Sequence, residues 1–232
     1  MTSVEGRAWA DVRNELFGEP YMVWHDGPEF SGLRDAWRRE PEALLEQLFA
    51  GMAEDDPLAS QSLAELDPPP TGETLQRVVA MLEQHLPTSH PATRVQIGMA
   101  LVRLTNDETW ARAVAQVLDG GASFWSDQID AAMALRRVAP TPELRTALLH
   151  GVVDPEYLVR YHSANTLRHW NGLDGEVESD EAMFDDLTTD DDPEAWKRVA
   201  DRLAQSLRAQ PDQQHRDRAP VAMTGARSVR VE

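Results

Sequence analysis

From residue 41 to residue 170 the apolar residues recur at intervals of three and four, and the pattern breaks about every ten to fifteen residues at Pro, Gly or Asp clusters. Short amphipathic helices require that rhythm, because a turn of 3.6 residues brings such positions onto one face. Strand-like alternation is almost absent. The spacing predicts helices over Pro41–Ala53, Pro57–Leu66, Thr71–Leu86, Pro91–Leu104, Asp107–Leu118, Phe124–Val138, Thr141–Val152 and Glu156–Trp170, which makes four consecutive hairpins. Pro41, Pro57, Pro91, Pro142 and Pro155 stand where these helices should begin, since a proline in the first turn gives up an amide that had no partner there. Thr71, Asp107 and Thr141 are candidate caps, and Gly120-Gly121 and Gly172 are stops that accept a left-handed turn. No helix can cross Pro68-Pro69-Pro70, so that run is a linker.

The second helices repeat. Placing Thr93–Leu104, Asp127–Val138 and Val159–Trp170 under one another aligns Val95 with Ile129 and Tyr161, Leu101 with Leu135 and Leu167, and Leu104 with Val138 and Trp170. Each copy has a small residue, Gly98, Ala132 or Ala164, where neighbouring helices would need to approach closely. In the first hairpin Ser60, Leu63 and Leu66 fall into place, but Pro57 stands where an aliphatic residue should. Met99, Met133 and Asn165 share a position expected to face the core. Asn165 there needs partners for its amide, from a neighbouring turn or from a ligand.

Asp154-Pro155 followed by Val159-Arg160-Tyr161-His162-Ser163-Ala164-Asn165-Thr166-Leu167 resembles the second-helix pattern of HEAT repeats, and Thr93-Arg94-Val95-Gln96-Ile97-Gly98-Met99-Ala100-Leu101 is similar. The copy at Asp127-Gln128-Ile129 has Gln in place of the Arg, which interrupts any continuous Asp–Arg ladder. The resemblance covers roughly residues 41–172. It implies an all-α, α-α superhelix of about four HEAT-like hairpins, a fold used for many kinds of binding.

The ends differ from the middle. Residues 1–40 read as an N-terminal capping segment, with short helices near Ala8–Phe17 and Phe30–Arg39 around the aromatic stretch Pro20–His25. A terminal repeat needs its apolar face covered, although Tyr21, Met22 and Trp24 could instead anchor a partner. Residues 173–192 belong to a stretch, Asp174 to Glu194, with eleven acids and no Lys or Arg; it reads as a solvated loop with one short helix near Met183-Phe184. Residues 193–209 form an amphipathic C-terminal capping helix carrying Trp196, Val199, Leu203 and Leu207, and residues 210–232 read as a disordered tail.

Charge then selects among partners. Forty acidic residues against 22 basic ones give −18, which repels phosphate backbones and anionic membranes and suits a basic protein, although the same charge also serves solubility. Without cysteine there is no disulfide, thiolate metal site or cysteine nucleophile. The start lacks a basic patch followed by an apolar stretch, and no apolar run is long enough to span a bilayer, so a cytoplasmic location is expected.

No nucleophile elbow, phosphate-binding loop, dinucleotide fingerprint or His-Glu-x-x-His pair occurs. Asp174-Gly175-Glu176-Val177-Glu178-Ser179-Asp180 places acids as a calcium loop would, but has Ser179 where the turn glycine belongs and Asp185 where a bidentate Glu should close the loop. No metal or other cofactor is expected. His162 and His169 are too far apart on one helix to share an ion. The expectation is a protein-binding, non-catalytic scaffold that neutralises or recruits a basic protein, as an adaptor or immunity protein would, through Arg94, Gln128, Arg160, His162 and Asn165 on the second helices. The alternative is a lyase or glycosylase with an acid beside Trp110 or Trp170 in a concave pocket.

Overall fold

The computed structural model describes residues 3–120 and 124–209, and every regular element in them is helical. In chain order these are α1 (Trp9–Phe17), α2 (Pro20–Asp26), α3 (Ser31–Arg39), α4 (Pro41–Ala53), α5 (Pro57–Ala64), α6 (Gly72–His85), α7 (Pro91–Thr105), α8 (Ala111–Leu118), α9 (Trp125–Leu135), α10 (Pro142–Val152), α11 (Tyr157–Trp170), α12 (Glu181–Thr188) and α13 (Pro193–Ala209). Single 3-10 turns at Glu108–Trp110 and Val177–Ser179 precede α8 and α12. The punctuation of the sequence accounts for most boundaries. Proline occupies the first turn of α4, α5, α7 and α10, Thr141 caps Leu144 at 3.3 Å and Asp107 caps Thr109 at 2.9 Å. Thr71 stands at the N-cap of α6 without a side-chain bond. The Pro68–Pro70 run separates α5 from α6, and the Trp37 indole N–H donates to Pro68 O at 2.8 Å.

Three expectations are corrected. The aromatic stretch after Gly18 is itself a helix, α2, opened by Pro20 and bounded by Gly18 and Gly27, whose φ values of 87° and 81° suit only glycine. The acidic stretch is folded, because Val177, Met183 and Leu187 are buried in the core and hold the 3-10 turn and α12 against α11. Its acids occupy the solvent side of elements anchored by these apolar residues. The third concerns Met99 and Met133. Met99 is half-buried and Met133 is 50% exposed, so their shared position lies on the open face of the helices. The tail beyond residue 209 lies outside the described residues.

Each of α5, α7, α9 and α11 packs against the helix before it and against the next member of the same set. α9 and α11 run side by side in the same direction: Gln128 near the start of α9 reaches Asp154 just ahead of α11 at 3.3 Å, and Thr166 Oγ1 donates to Ala132 O at 2.8 Å further along both. Gly98 permits the close approach of α7 to α8, since a Cβ there would lie 2.8 Å from Val114 Cγ2. The first helices are less regular. α4 meets α6 and α8 meets α10, but α6 and α8 make no comparable contact. Two cores result, meeting at α7, which gives Val95 to the C-terminal core and Ile97, Ala100 and Leu101 to the N-terminal one.

Both ends close on their neighbours. Trp9, Val12 and Leu16 of α1 and Leu33 and Trp37 of α3 join the core of α4. At the other end Val199 and Leu203 of α13 join the core of α10 and α11, and Trp196 is buried beside them. No helix among the described residues is long and apolar enough to cross a membrane.

Candidate interaction face

Aligned positions of the second helices share a side, so the open face is read from one equivalent set. Gln96, Asp130 and His162 hold one position, Met99, Met133 and Asn165 the next, and Arg103, Arg137 and His169 the one after. These lie three and four residues apart, along one stripe of each helix. On α7 the stripe lines a groove of about 410 Å³, shared with Gln61 of α5, with Glu65 just after it and with Arg137. Arg103 is paired there with Glu65, while Arg137 has no ion pair among the described residues. On α9 the stripe residues Asp130, Met133 and Arg137 are exposed.

On α11 the middle of the same stripe, Asn165, is sealed by the chain itself. Val177 N–H donates to Asn165 Oδ1 at 2.8 Å, leaving Asn165 6% exposed. The Tyr161 hydroxyl donates to Glu176 at 2.9 Å and Glu178 at 2.6 Å, and Glu176 reaches back to Arg136, just after α9, at 3.5 Å. Beneath this strap the buried Arg168 donates to Asp174 O and Ser179 Oγ, each at 2.9 Å. The residues that resemble a calcium loop therefore wrap a guanidinium. No group of three His, Asp or Glu among the described residues could hold a metal ion.

The five residues expected to meet a partner have different fates. Arg160 is 1% exposed: its guanidinium donates to Asp154 O, Pro155 O and Leu187 O at 2.9, 2.8 and 3.0 Å and lies 4.0 Å over the Trp196 ring. It is an internal strut, and its role as a contact residue is corrected. Half-buried Arg94 makes the equivalent bond, to Ser89 O at 3.0 Å, five residues back. Gln128 ties the same region, reaching Leu118 O at 3.4 Å as well as Asp154, so it replaces the missing Arg as a turn brace. Asn165 is sealed, as above. Only His162 keeps a partly open position on the stripe, edge-on to the Tyr161 ring at 5.1 Å.

Asp130 is exposed, yet desolvation by the surrounding protein pushes its carboxyl above the usual range, with the charge of Asp127 adding to the effect; desolvation raises Asp127 too. Neither carboxylate has an ion pair among the described residues. Burial holds His162 below its ordinary value against the opposing pull of Glu176, so it is neutral at pH 7. The Tyr161 phenol is pushed up chiefly by Glu178, with burial and Glu176 adding, and stays protonated. These raised carboxyls are on α9, whereas Trp170 is buried and Trp110 packs against the N-terminal core.

What the sequence alone does not reveal is the aromatic edge of this face. Phe124, Trp125 and Leu158 are 68%, 49% and 41% exposed at the starts of α9 and α11. Their signal was a pair of aromatic residues just ahead of Asp127, outside the aligned repeat. Comparison with known protein families, curated proteins and solved structures finds no match to this chain.

Proposed function

We propose that the chain is a non-catalytic, HEAT-like α-solenoid scaffold of about four hairpins that binds a basic protein in the cytoplasm, as an adaptor or an immunity-type inhibitor. The observation that supports this reading is the contrast at one shared position of the second helices: on α11 the chain covers Asn165 with its own Val177, and on α9 Met133 is exposed. An exposed methionine flanked by polar groups suits an interface, because its flexible thioether packs against varied surfaces. The charge of −18 favours a cationic partner and speeds its encounter.

Capture from native lysate at about 50 mM and about 500 mM salt, spanning the range over which surface charges become screened, tests the reading. A basic protein held at low salt and released at high salt is the expected result. An acidic partner, or none at either salt, contradicts it.

A further inference from the structure

The charges of α9 change sign along its length. Asp127 and Asp130 lie in its first half, one helical turn apart, and neither has an ion pair among the described residues. Arg136 and Arg137 follow its last turn, and Glu176 already occupies Arg136. Trp125 precedes both acids, and with Ile129 and Met133 it recurs at four-residue spacing, which brings the three to one side of the helix, with Asp130 next to Met133 and Asp127 on the other flank. Trp125 and Met133 are 49% and 50% exposed, and Leu158, 41% exposed, opens the helix that runs alongside. The outer side of α9 thus carries an apolar row with Asp130 beside it, and its charges change from anionic to cationic along the chain.

Resting on the scaffold reading above, we propose that this face of α9, with Leu158 beside it, docks a cationic amphipathic segment of another protein. The apolar residues of the segment pack on Trp125, Ile129 and Met133, and its Lys or Arg side chains lie over Asp130 and reach across the helix toward Asp127. Charge complementarity selects this occupant. A second copy of the chain would bring another −18, and the chain's own acidic strap is already bound on α11. The unpaired Arg137 gives the segment a direction, since it repels cations from the far end of α9. A helical segment of three to four turns matches the length of α9, the usual scale for recognition of an amphipathic helix by a groove.

A fluorescein-labelled peptide of about 14 residues, built from Leu and Lys in an amphipathic pattern, is the probe, and its Leu/Glu analogue is the control. Fluorescence anisotropy should show the cationic peptide binding at least about tenfold more tightly than the anionic one. Asp127→Asn with Asp130→Asn, and separately Trp125→Ala with Met133→Ser, should each weaken binding by about tenfold or more, while Arg137→Glu should strengthen it. The variants change exposed side chains and the half-buried Asp127, and circular dichroism confirms that each is folded. Equal binding of both peptides, or unchanged binding to the Trp125/Met133 variant, would overturn the proposal. So would binding that appears only after residues 210–232 are removed, which would make the chain's own tail the occupant. A dimer in sedimentation that is lost in the Trp125/Met133 variant would also overturn it. If the basic partner captured at low salt is still held by that variant, this docking surface fails while the scaffold reading stands.

Discussion

At the scale of single residues, arginine shows how far a side chain's role depends on distant parts of the chain. Arg160 has three backbone carbonyls and the Trp196 ring as partners, so its buried charge is satisfied. Arg160→Met leaves those carbonyls unpaired and removes the cation from the ring, at a cost of about 3 kcal/mol in urea unfolding, with a change in tryptophan emission. A Cβ at Gly151 would clash with Ser163 Oγ, between two packed helices. Gly151→Ala should cost about 1–3 kcal/mol, and pairing it with Ser163→Ala should recover part of that loss. The aligned pattern marks Arg94 and Arg160 as equivalent, and both indeed reach the carbonyl five residues back. It does not say whether a guanidinium turns inward, because for Arg160 that depends on Leu187 and Trp196, well beyond the repeat.

At the scale of elements, the boundaries of the central helices are legible because proline, threonine and aspartate act within a turn of where they stand. Pro41–Ala53 and Pro193–Ala209 have the bounds expected of them. α2 was harder to read, since a seven-residue helix shows little periodicity. In the acidic strap only the short helix near Met183-Phe184 is legible, because composition averages over its acids, whereas Val177, Met183 and Leu187 are what anchor it. Tyr161→Phe removes the hydroxyl shared by Glu176 and Glu178, and the strap should loosen, with faster amide exchange at Val177 and a loss of about 1–2 kcal/mol. Asp130→Asn should act in the opposite direction. The folded state raises the carboxyl's pKa, so the ionised form destabilises the fold at neutral pH, and wild-type stability recovers as pH falls through the folded value. The asparagine variant should therefore melt higher than wild type at pH 7, and the difference should vanish below about pH 4, where both states are protonated.

At the scale of the whole molecule, two cores meeting at α7 and a row of second helices define one covered end and one open face. The all-helical class was legible from the three- and four-residue rhythm. The open face was not, because Met99 and Met133 fit the rhythm as well as core residues do, and only the packing of neighbouring helices separates the two. The methionines provide a direct test. Met99 and Met133 lie on the proposed binding face, Met22 is exposed on the separate helix α2, and Met52 and Met183 are buried. In methyl-labelled NMR spectra recorded with the cationic amphipathic peptide, the Met133 resonance should move most and Met99 less, while Met22, Met52 and Met183 stay in place. Movement of Met22 with Met133 and Met99 unchanged would contradict the account.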